Sequence, residues 1–574
     1  MAAQLSADRR QLLVLQAGYD TPTVSVIDIS KRVELSRVEL PDAWLGLEFN
    51  RAGDKVYVGG GRRGSVWELS FRDGALALER EFSIPNQCGD SCASLIGDVR
   101  MDADGRILYA LDLLRDSVVV INTQSGLVLG EFPTGAAPYR ARLAPDREHL
   151  IISHWGEASL GLYRLSDRRL VERLSVGGHP ADIVVAEGSV EVPSSDSGQD
   201  GVARYRARLF AACTHSDNLW TFGITERNRY ELLDIRSVAP LPESAVGSIP
   251  SALGLSLDGD TLFIANAGNN TIIFADIAEA LPESSGALPT GWYPIGVEGL
   301  ADGGIAYLNG KGDGQQAGSV SILPALTSEQ LEFLTAAAVE NLSGPTLAAT
   351  SPPDSVRQVV LLLTDARGES WKRLSHDAAL LAGYVPAARG ELGQMAWITS
   401  GIETDFFAKL GPAVEAGRVT ARDLAAAGRA ATAPAGTLWS NTSDASRRAE
   451  TYGIGGGRPV EGFLDKVDLG GSLADLTVVR LLGSPAAQDS EFGRLTEALR
   501  EHPSYASTVV FAVPIGGAEG ALAAGGPVVS GSAPDGFVSV SSVVRTVQWL
   551  LGLRPATQFD ASAVPISGLF ADSR

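Results

Sequence analysis

LSLDGDTLFIANAGNNTIIFADI, running from Leu255 to Ile277, holds in order an apolar segment, an Asp-Gly turn, an alternating strand, a polar loop and a second alternating strand rich in Ile. Asp-Gly between alternating runs is a hairpin signal, because the turn needs backbone conformations that glycine and aspartate tolerate. The same grammar returns as LSADRRQLLVLQAGYDTPTVSVIDI from Leu5, FNRAGDKVYVGGGRRGSVWEL from Phe49 and MDADGRILYALDLLRDSVVVINT from Met101. It recurs as LAPDREHLIISHWGEASLGLYRL from Leu143, more loosely around Arg208 to Phe222, and as LADGGIAYLNGKGDGQQAGSVSIL from Leu300. Copying of turn and loop at an interval of roughly 40 residues is the mark of a β-propeller. A β-sandwich also has short strands, but not this regular repetition. The expected architecture is an all-β, seven-bladed β-propeller over residues 1–324. The chain opens part-way into the first recognisable copy, so an outer strand is expected to be missing there or lent by the other end. The segment VEVPSSDSGQDG, within Glu187 to Arg206, breaks the period and reads as an exposed insertion without stable structure of its own.

At 574 residues the chain exceeds what one hydrophobic core supports. Hydrophobic content of 45% and charged content of 20% are those of a globular protein. The longest apolar runs, Val359 to Leu363 and Val509 to Val513, are strand-length, so no membrane span is expected. A net charge of −21 repels nucleic acid and anionic lipid headgroups, and neither is an expected partner. Three cysteines are too few for a disulfide scaffold. Cys88 and Cys92 in NQCGDSC leave two alternatives open, a local disulfide or two free thiols. No export signal precedes the first strand, so either the protein is cytoplasmic or the recorded start lies downstream of such a signal.

Loops between the second and third strands of the copies gather polar residues: His154 and Trp155, His215 and Asp217, Asn266 and Asn269, Asn309 and Lys311. The repeat places them at one end of the ring, where they form a candidate binding face for a protein or small molecule. The competing reading is that Asn, Asp and Gly merely suit turns. An enzyme site near His154, His179 and His215 is a further alternative. The first half resembles the YVTN-type propellers of bacterial surface and periplasmic proteins, in which a Ser-Pro-Asp-Gly turn precedes a Leu-Tyr-Val-Ala-Asn strand. That resemblance implies the fold and an extracytoplasmic location, periplasmic or secreted, and says little of function.

From Ser319 the text changes. A strand and helix in SVSILPALTSEQLEFLTAAAVENL and the Pro- and Ser-rich GPTLAATSPPDS give a linker over residues 325–355. An α/β pattern over residues 356–574 follows, with strands in RQVVLLLTD, Leu476 to Leu481 and Thr508 to Val513. Its helices are expected at Asp423 to Ala430, Glu491 to Arg500 and Val543 to Leu551. GIETDFFAKL, LREHPSYASTVVFAV and VSSVVRTVQWLLGLRPATQFDASAVPI resemble the alkaline-phosphatase-like phosphoesterases found behind such propellers. The resemblance implies a two-metal hydrolase fold in which carboxylates and histidines hold two divalent ions. Against the family's KENRTYD-like motif this chain has TDARGES, which keeps Asp365 as a ligand but puts Gly368 at the nucleophile position. A glycine has no side chain with which to attack. Against LPNDHT it has LLGSPA, leaving Ser484 and Pro485. Pro514, Ile515 and Gly516 stand where the family has consecutive acids, LAAGGPVV shortens a His-bearing segment, and Phe537 stands at the last His. After the linker only His376 and His502 remain. The reading is a non-catalytic binding or scaffold protein with a pseudo-phosphoesterase domain, needing no metal and no cofactor. The alternative is a metal-dependent phosphoric-ester hydrolase with a displaced site anchored on Asp365.

Overall fold

A computed structural model describes residues 2–18, 21–85, 94–194, 201–240, 247–279, 281–310, 318–342, 352–381, 384–385, 449–453, 458–515, 520–530, 532, 538–553, 563 and 565–570. The chain divides into two compact units, residues 1–341 with 404–432, and residues 342–403 with 433–574. Cys88, Cys92, Lys311, Gly516, Phe537 and the helix expected at Asp423 to Ala430 lie outside the described residues.

The first unit is a seven-bladed β-propeller. Its antiparallel sheets cover residues 2–39, 47–83, 96–133, 138–175, 180–237, 250–289 and 294–323, here called blades 1 to 7. Each blade's first strand is innermost, and these strands adjoin in sequence order, with Pro294–Gly299 of blade 7 meeting Ala2–Leu5 of blade 1. Blade 1 has all four strands, and blade 7 is the three-stranded one. The expected gap in blade 1 is thereby corrected: AAQL, too short to stand out in the repeat, is its innermost strand, paired Ala3 to Val14 and Leu5 to Leu12. The expected unstructured insertion is also corrected. Pro180–Ser194 and Gly201–Cys213 pair as a long hairpin, with Val190 opposite Tyr205 and Val192 opposite Ala203. The alternating valines extend the ladder beyond the blade, as far as the pairing of Ser194 with Gly201.

Alternation along each strand buries one row of side chains on each face, and successive blades share cores. Leu13, Val24 and Val26 meet Val58 and Leu69 between blades 1 and 2, and Leu209 and Phe222 join Ile151 and Leu162 between blades 4 and 5. Near the axis the blades approach backbone to backbone, which requires glycine. A Cβ on Gly59 of blade 2 would fall on the carbonyl oxygen of Gly97 in blade 3. Gly59→Ala is expected to cost about 1–3 kcal/mol, because the clash is with main chain that cannot rotate away. Chemical denaturation of the full chain checks this, and an unchanged midpoint refutes it. Outside the ring, helix Ser328–Leu342 lies on the outer strand of blade 6, where Ala287 N–H donates to Thr335 Oγ1 at 2.9 Å and Ala338 is fully buried. It covers an edge that would otherwise expose unpaired backbone.

The second unit contains a six-stranded sheet in the order Ala379–Leu381, Ala521–Gly525, Thr508–Val513, Gln358–Leu363, Leu476–Arg480, Ala449–Tyr452. The last four are mutually parallel, and Ala521–Gly525 alone runs antiparallel to both of its neighbours. The apolar run Val359 to Leu363 is buried on both faces, as central parallel strands are. Val359, Leu361 and Leu363 share a core with Val543 and Val547 of helix Val540–Leu551. Val360 and Leu362 face Phe463 of helix Val460–Asp468 and Phe492 and Leu495 of helix Pro485–Glu501. It is an α/β layered arrangement, with the expected strands and the two described C-terminal helices present.

Candidate functional site: the charged central channel

Blades 4 to 7 each open with Gly-x-x-Pro: Gly135 to Pro138, Gly177 to Pro180, Gly247 to Pro250 and Gly291 to Pro294. The residue before each proline takes a left-handed backbone, with φ of 51° at Ala137, 54° at His179, 51° at Ile249 and 66° at Tyr293. That conformation is costly for Ile and Tyr and persists only where the surroundings fix it. Here each carbonyl is held by the loop between the second and third strands of its own blade. Trp155 N donates to Ala137 O, Thr214 N to His179 O, Ala267 N to Ile249 O and Gly310 N to Tyr293 O, at 2.7–3.1 Å. Each proline then starts an inner strand whose register is set. The residues two and four places on face the axis: Arg140 and Arg142, Asp182 and Val184, Ala252 and Gly254, Gly296 and Glu298. Asp98 and Arg100 occupy the same rows in blade 3.

These residues line a central cavity of about 480 Å³, together with Gln4 of blade 1, Arg147 in a turn of blade 4 and Glu187 in the first strand of blade 5. Its wall is a belt of opposed charges. Asp98 approaches Arg140 at 3.6 Å and Arg100 at 3.8 Å. Asp182 approaches Arg142 at 3.2 Å and Arg140 at 3.6 Å, and Glu48 meets Arg100 at 2.6 Å. Two of the acids also clasp neighbouring blades, Asp98 accepting from Ala141 N at 2.9 Å and Asp182 from Leu253 N at 3.0 Å. Glu298 differs. Its backbone pairs with Ala306, but among the described residues its carboxylate makes no hydrogen bond or ion pair. Burial in the channel wall pushes its carboxyl up to about 7, against the pull of Arg142 and Arg100. Burial likewise raises the Glu48 carboxyl despite Arg100, and lowers Arg142, whose charge is also opposed by Arg100.

The loop residues singled out in the sequence are not among those lining this cavity. The described ones lie at the ring end where the crossover loops arrive, and are mostly buried and internally bonded. His154 is enclosed, with Nδ1 2.9 Å from Ser159 Oγ and Nε2 3.1 Å from Tyr163 OH. Burial, with the Arg173 charge nearby, lowers it to about 3, so it is a neutral imidazole. Asp217 accepts from Gly247, Ser248 and Ile249 N–H at 2.8–3.0 Å, fixing the crossover into blade 6. Asn266 donates to Val238 O at 2.8 Å, Asn269 to Ser248 Oγ at 3.1 Å and Asn309 to Ser319 Oγ at 3.0 Å. Trp155, His179 and His215 form a stack with centroids 3.8 and 4.1 Å apart. Burial lowers His215 to about 4. The stack joins blade 4 to blade 5.

In the second unit, Asp365, Ser484 and Pro514 stand at the carboxyl ends of three adjacent parallel strands, the edge where α/β sheets place ligands. Their bonding there is internal. Asp365 Oδ1 accepts from Ile515 N at 3.2 Å, and Gln488 Oε1 accepts from Asp365 N at 2.7 Å. Ser484 caps helix Pro485–Glu501 through Ala487 N at 3.3 Å. At Gly368, the space a side chain needs is filled: a Cβ there would fall inside the carboxylate of Asp489. Asp489 accepts from Gly368, Ser370 and Trp371 N–H at 2.9–3.2 Å and so caps helix Glu369–Asp377. Burial opposes its ionisation, but these three bonds hold the carboxyl below its usual value. Among the described residues no three His, Cys, Asp or Glu side chains converge as metal ligands. The donor set among the described residues does not fit a two-metal centre. His502, the second histidine, binds Gly471 O and Ser504 N within the fold.

The channel charges were missed in the sequence, yet four of them carry a signal: Arg140, Arg142, Asp182 and Glu298 fall two or four places after a blade-opening proline, where a buried strand should be apolar.

No protein-family model and no curated protein matches the chain. Many solved structures do, among them the periplasmic gluconolactonase PpgL of Pseudomonas aeruginosa, 18% identical over 51% of this chain and 86% of that one, with a TM-score of 0.41. The Cps50 (Swd1) β-propeller domain of Myceliophteria thermophila is 10% identical over 57% of this chain and 96% of that one, with a TM-score of 0.43. U3-55K is 11% identical over 56% of this chain and 94% of that one, with a TM-score of 0.44. What the chain has in common with such proteins is the β-propeller.

Proposed function

We propose that this chain is a non-catalytic binding or scaffold protein, its propeller the binding unit and its second unit a phosphoesterase-like fold without turnover. The observation that carries this reading is Asp489. Its carboxylate fills the space beside Gly368 and is committed to three backbone N–H groups, so the position has no room for a nucleophile. Replacing attacking and ligating groups by Gly, Pro, Ile and Phe also avoids leaving buried carboxylates unpaired, which favours a domain kept for packing or partner contact. An extracytoplasmic location belongs to the same proposal and rests on the resemblance of the repeats. Among the described residues no helix is long and apolar enough to cross a membrane.

The test is metal content of the purified full chain by mass spectrometry, with phosphomonoesterase and phosphodiesterase turnover assayed in zinc, manganese and calcium. The expected result is no bound transition metal and no turnover above a mock preparation. Gly368→Thr, which restores the family's nucleophile type, is expected to give no turnover either and to destabilise the second unit by about 1–3 kcal/mol through the clash with Asp489. Stoichiometric metal with turnover lost in Asp365→Ala would replace this reading by that of a hydrolase anchored on Asp365.

A further inference from the structure

We propose that the central channel binds a small organic cation carrying a primary ammonium group, with Glu298 as its counter-charge. This deepens the reading of the propeller as a binding unit and does not depend on the second unit.

The channel wall brings Asp98, Asp182 and Glu298 together with Arg100, Arg140 and Arg142, and a fourth acid, Glu48 of blade 2, meets Arg100. Glu48, Asp98 and Asp182 are taken up by the arginines and by neighbouring backbone. The surplus acid is Glu298, and it faces a cavity large enough for a small molecule. An ionised carboxylate without a partner in such a place is unfavourable; protonation or a cation relieves it. Groups around Glu298 do not supply that cation. The neighbouring blades present Gly254 and Gln4 on the lumen, while Arg142, Arg100 and Asp182 act on it only through space. Glu48, two blades away, is engaged by Arg100.

The chemistry of the occupant follows from the donors present. A divalent metal ion wants six or more oxygen ligands, and among the described residues no three acidic, histidine or cysteine side chains are placed to hold one. An ammonium group needs one carboxylate and a few hydrogen-bond acceptors. An anionic ligand would have to strip the arginines of carboxylates that also clasp the blades together. The net charge of −21 draws cations to the molecule from a distance.

The expected signature is proton-linked binding. The cation binds ionised Glu298, and the empty site holds a proton up to about pH 7. Binding therefore releases a proton below that pH, and affinity rises roughly tenfold per pH unit before levelling off above it.

The experiment is isothermal titration calorimetry of the full chain with putrescine and with glucosamine at pH 5.5 to 8.5, in two buffers of different ionisation enthalpy, with calcium chloride and citrate as comparisons. Expected are one site per chain for at least one amine, proton release at pH 6, and Glu298→Gln weakening it at least tenfold at pH 8 while abolishing the pH dependence. Glu34→Gln, in the exposed outer strand of blade 1 and away from the residues lining the cavity, is expected to leave binding within twofold. Citrate or calcium binding in place of the amines, amine binding unchanged in Glu298→Gln, or no binding by any of the four probes would overturn the proposal. None of these outcomes bears on phosphoester turnover, so the two readings fail separately.

Discussion

Asp182→Ala is expected to destabilise the propeller by about 3–5 kcal/mol, the usual cost of removing one partner from a buried charge network. Asp182 is only 4% exposed. Its carboxylate accepts from Leu253 N of blade 6 at 3.0 Å and from Ile183 N of its own blade at 2.9 Å. It also faces Arg142 at 3.2 Å and Arg140 at 3.6 Å. Alanine removes an interblade clasp and leaves two enclosed guanidinium groups sharing the remaining acids. Asp182→Asn keeps the shape and one acceptor and should cost less than half as much. Denaturant unfolding of the full chain, compared across both variants, decides it. A loss below 1 kcal/mol for the alanine variant would mean that water in the channel already solvates these arginines, and that the belt contributes little to holding the ring.

Acidification is expected to weaken the propeller through its neutral histidines. His154 is fully buried with a folded-state value near 3, well below the usual 6.5. Between those limits the unfolded chain binds a proton that the folded chain refuses. Stability is therefore complete above about pH 6.5 and falls by about 1.4 kcal/mol for each unit of acidification until pH 3. His215, lowered to about 4, acts in the same direction over a narrower window. Glu298, raised to about 7, has the opposite sign: its contribution is complete below about 4.5 and is lost as pH rises through 7. Because of that opposition the diagnostic is a difference. In His154→Gln, stability measured at pH 6, 5 and 4 should fall less steeply than in the unaltered chain, by about 1.4 kcal/mol per unit. Equal slopes would show that the imidazole takes up its proton in the folded state, with Glu157, 3.3 Å away, as its partner.

The propeller was legible because its blades repeat local features. Leu255 to Ile277 contains turn, strand, loop and strand in a form that six other stretches copy, and that pattern needs no knowledge of what lies across the ring. The channel was not legible in the same way. Arg140, Arg142, Asp182 and Glu298 become neighbours only when seven inner strands converge, and each alone looks like an ordinary charge in a short strand. The loop residues misdirect for a related reason. His154, Asp217 and Asn266 are polar, as binding residues are, but they satisfy backbone and side-chain groups of crossovers that come from far along the chain. In the second unit the strands could be read from their apolar runs. The carboxylate that fills the space at Gly368 could not, since Asp489 is 121 residues further along and belongs to no motif.

Blade 7 and blade 1 meet as two complete neighbours, each contiguous in sequence, and among the described residues neither lends a strand to the other. Parting them there would break no ladder of main-chain bonds. The seam is a joint of side chains, so opening the circle and melting a sheet are separate events with separate free energies. Amide exchange on this protein should then show two tiers: a shallow one, confined to backbone covered only by the meeting of blades 1 and 7, and a deep one for the ladders within every blade.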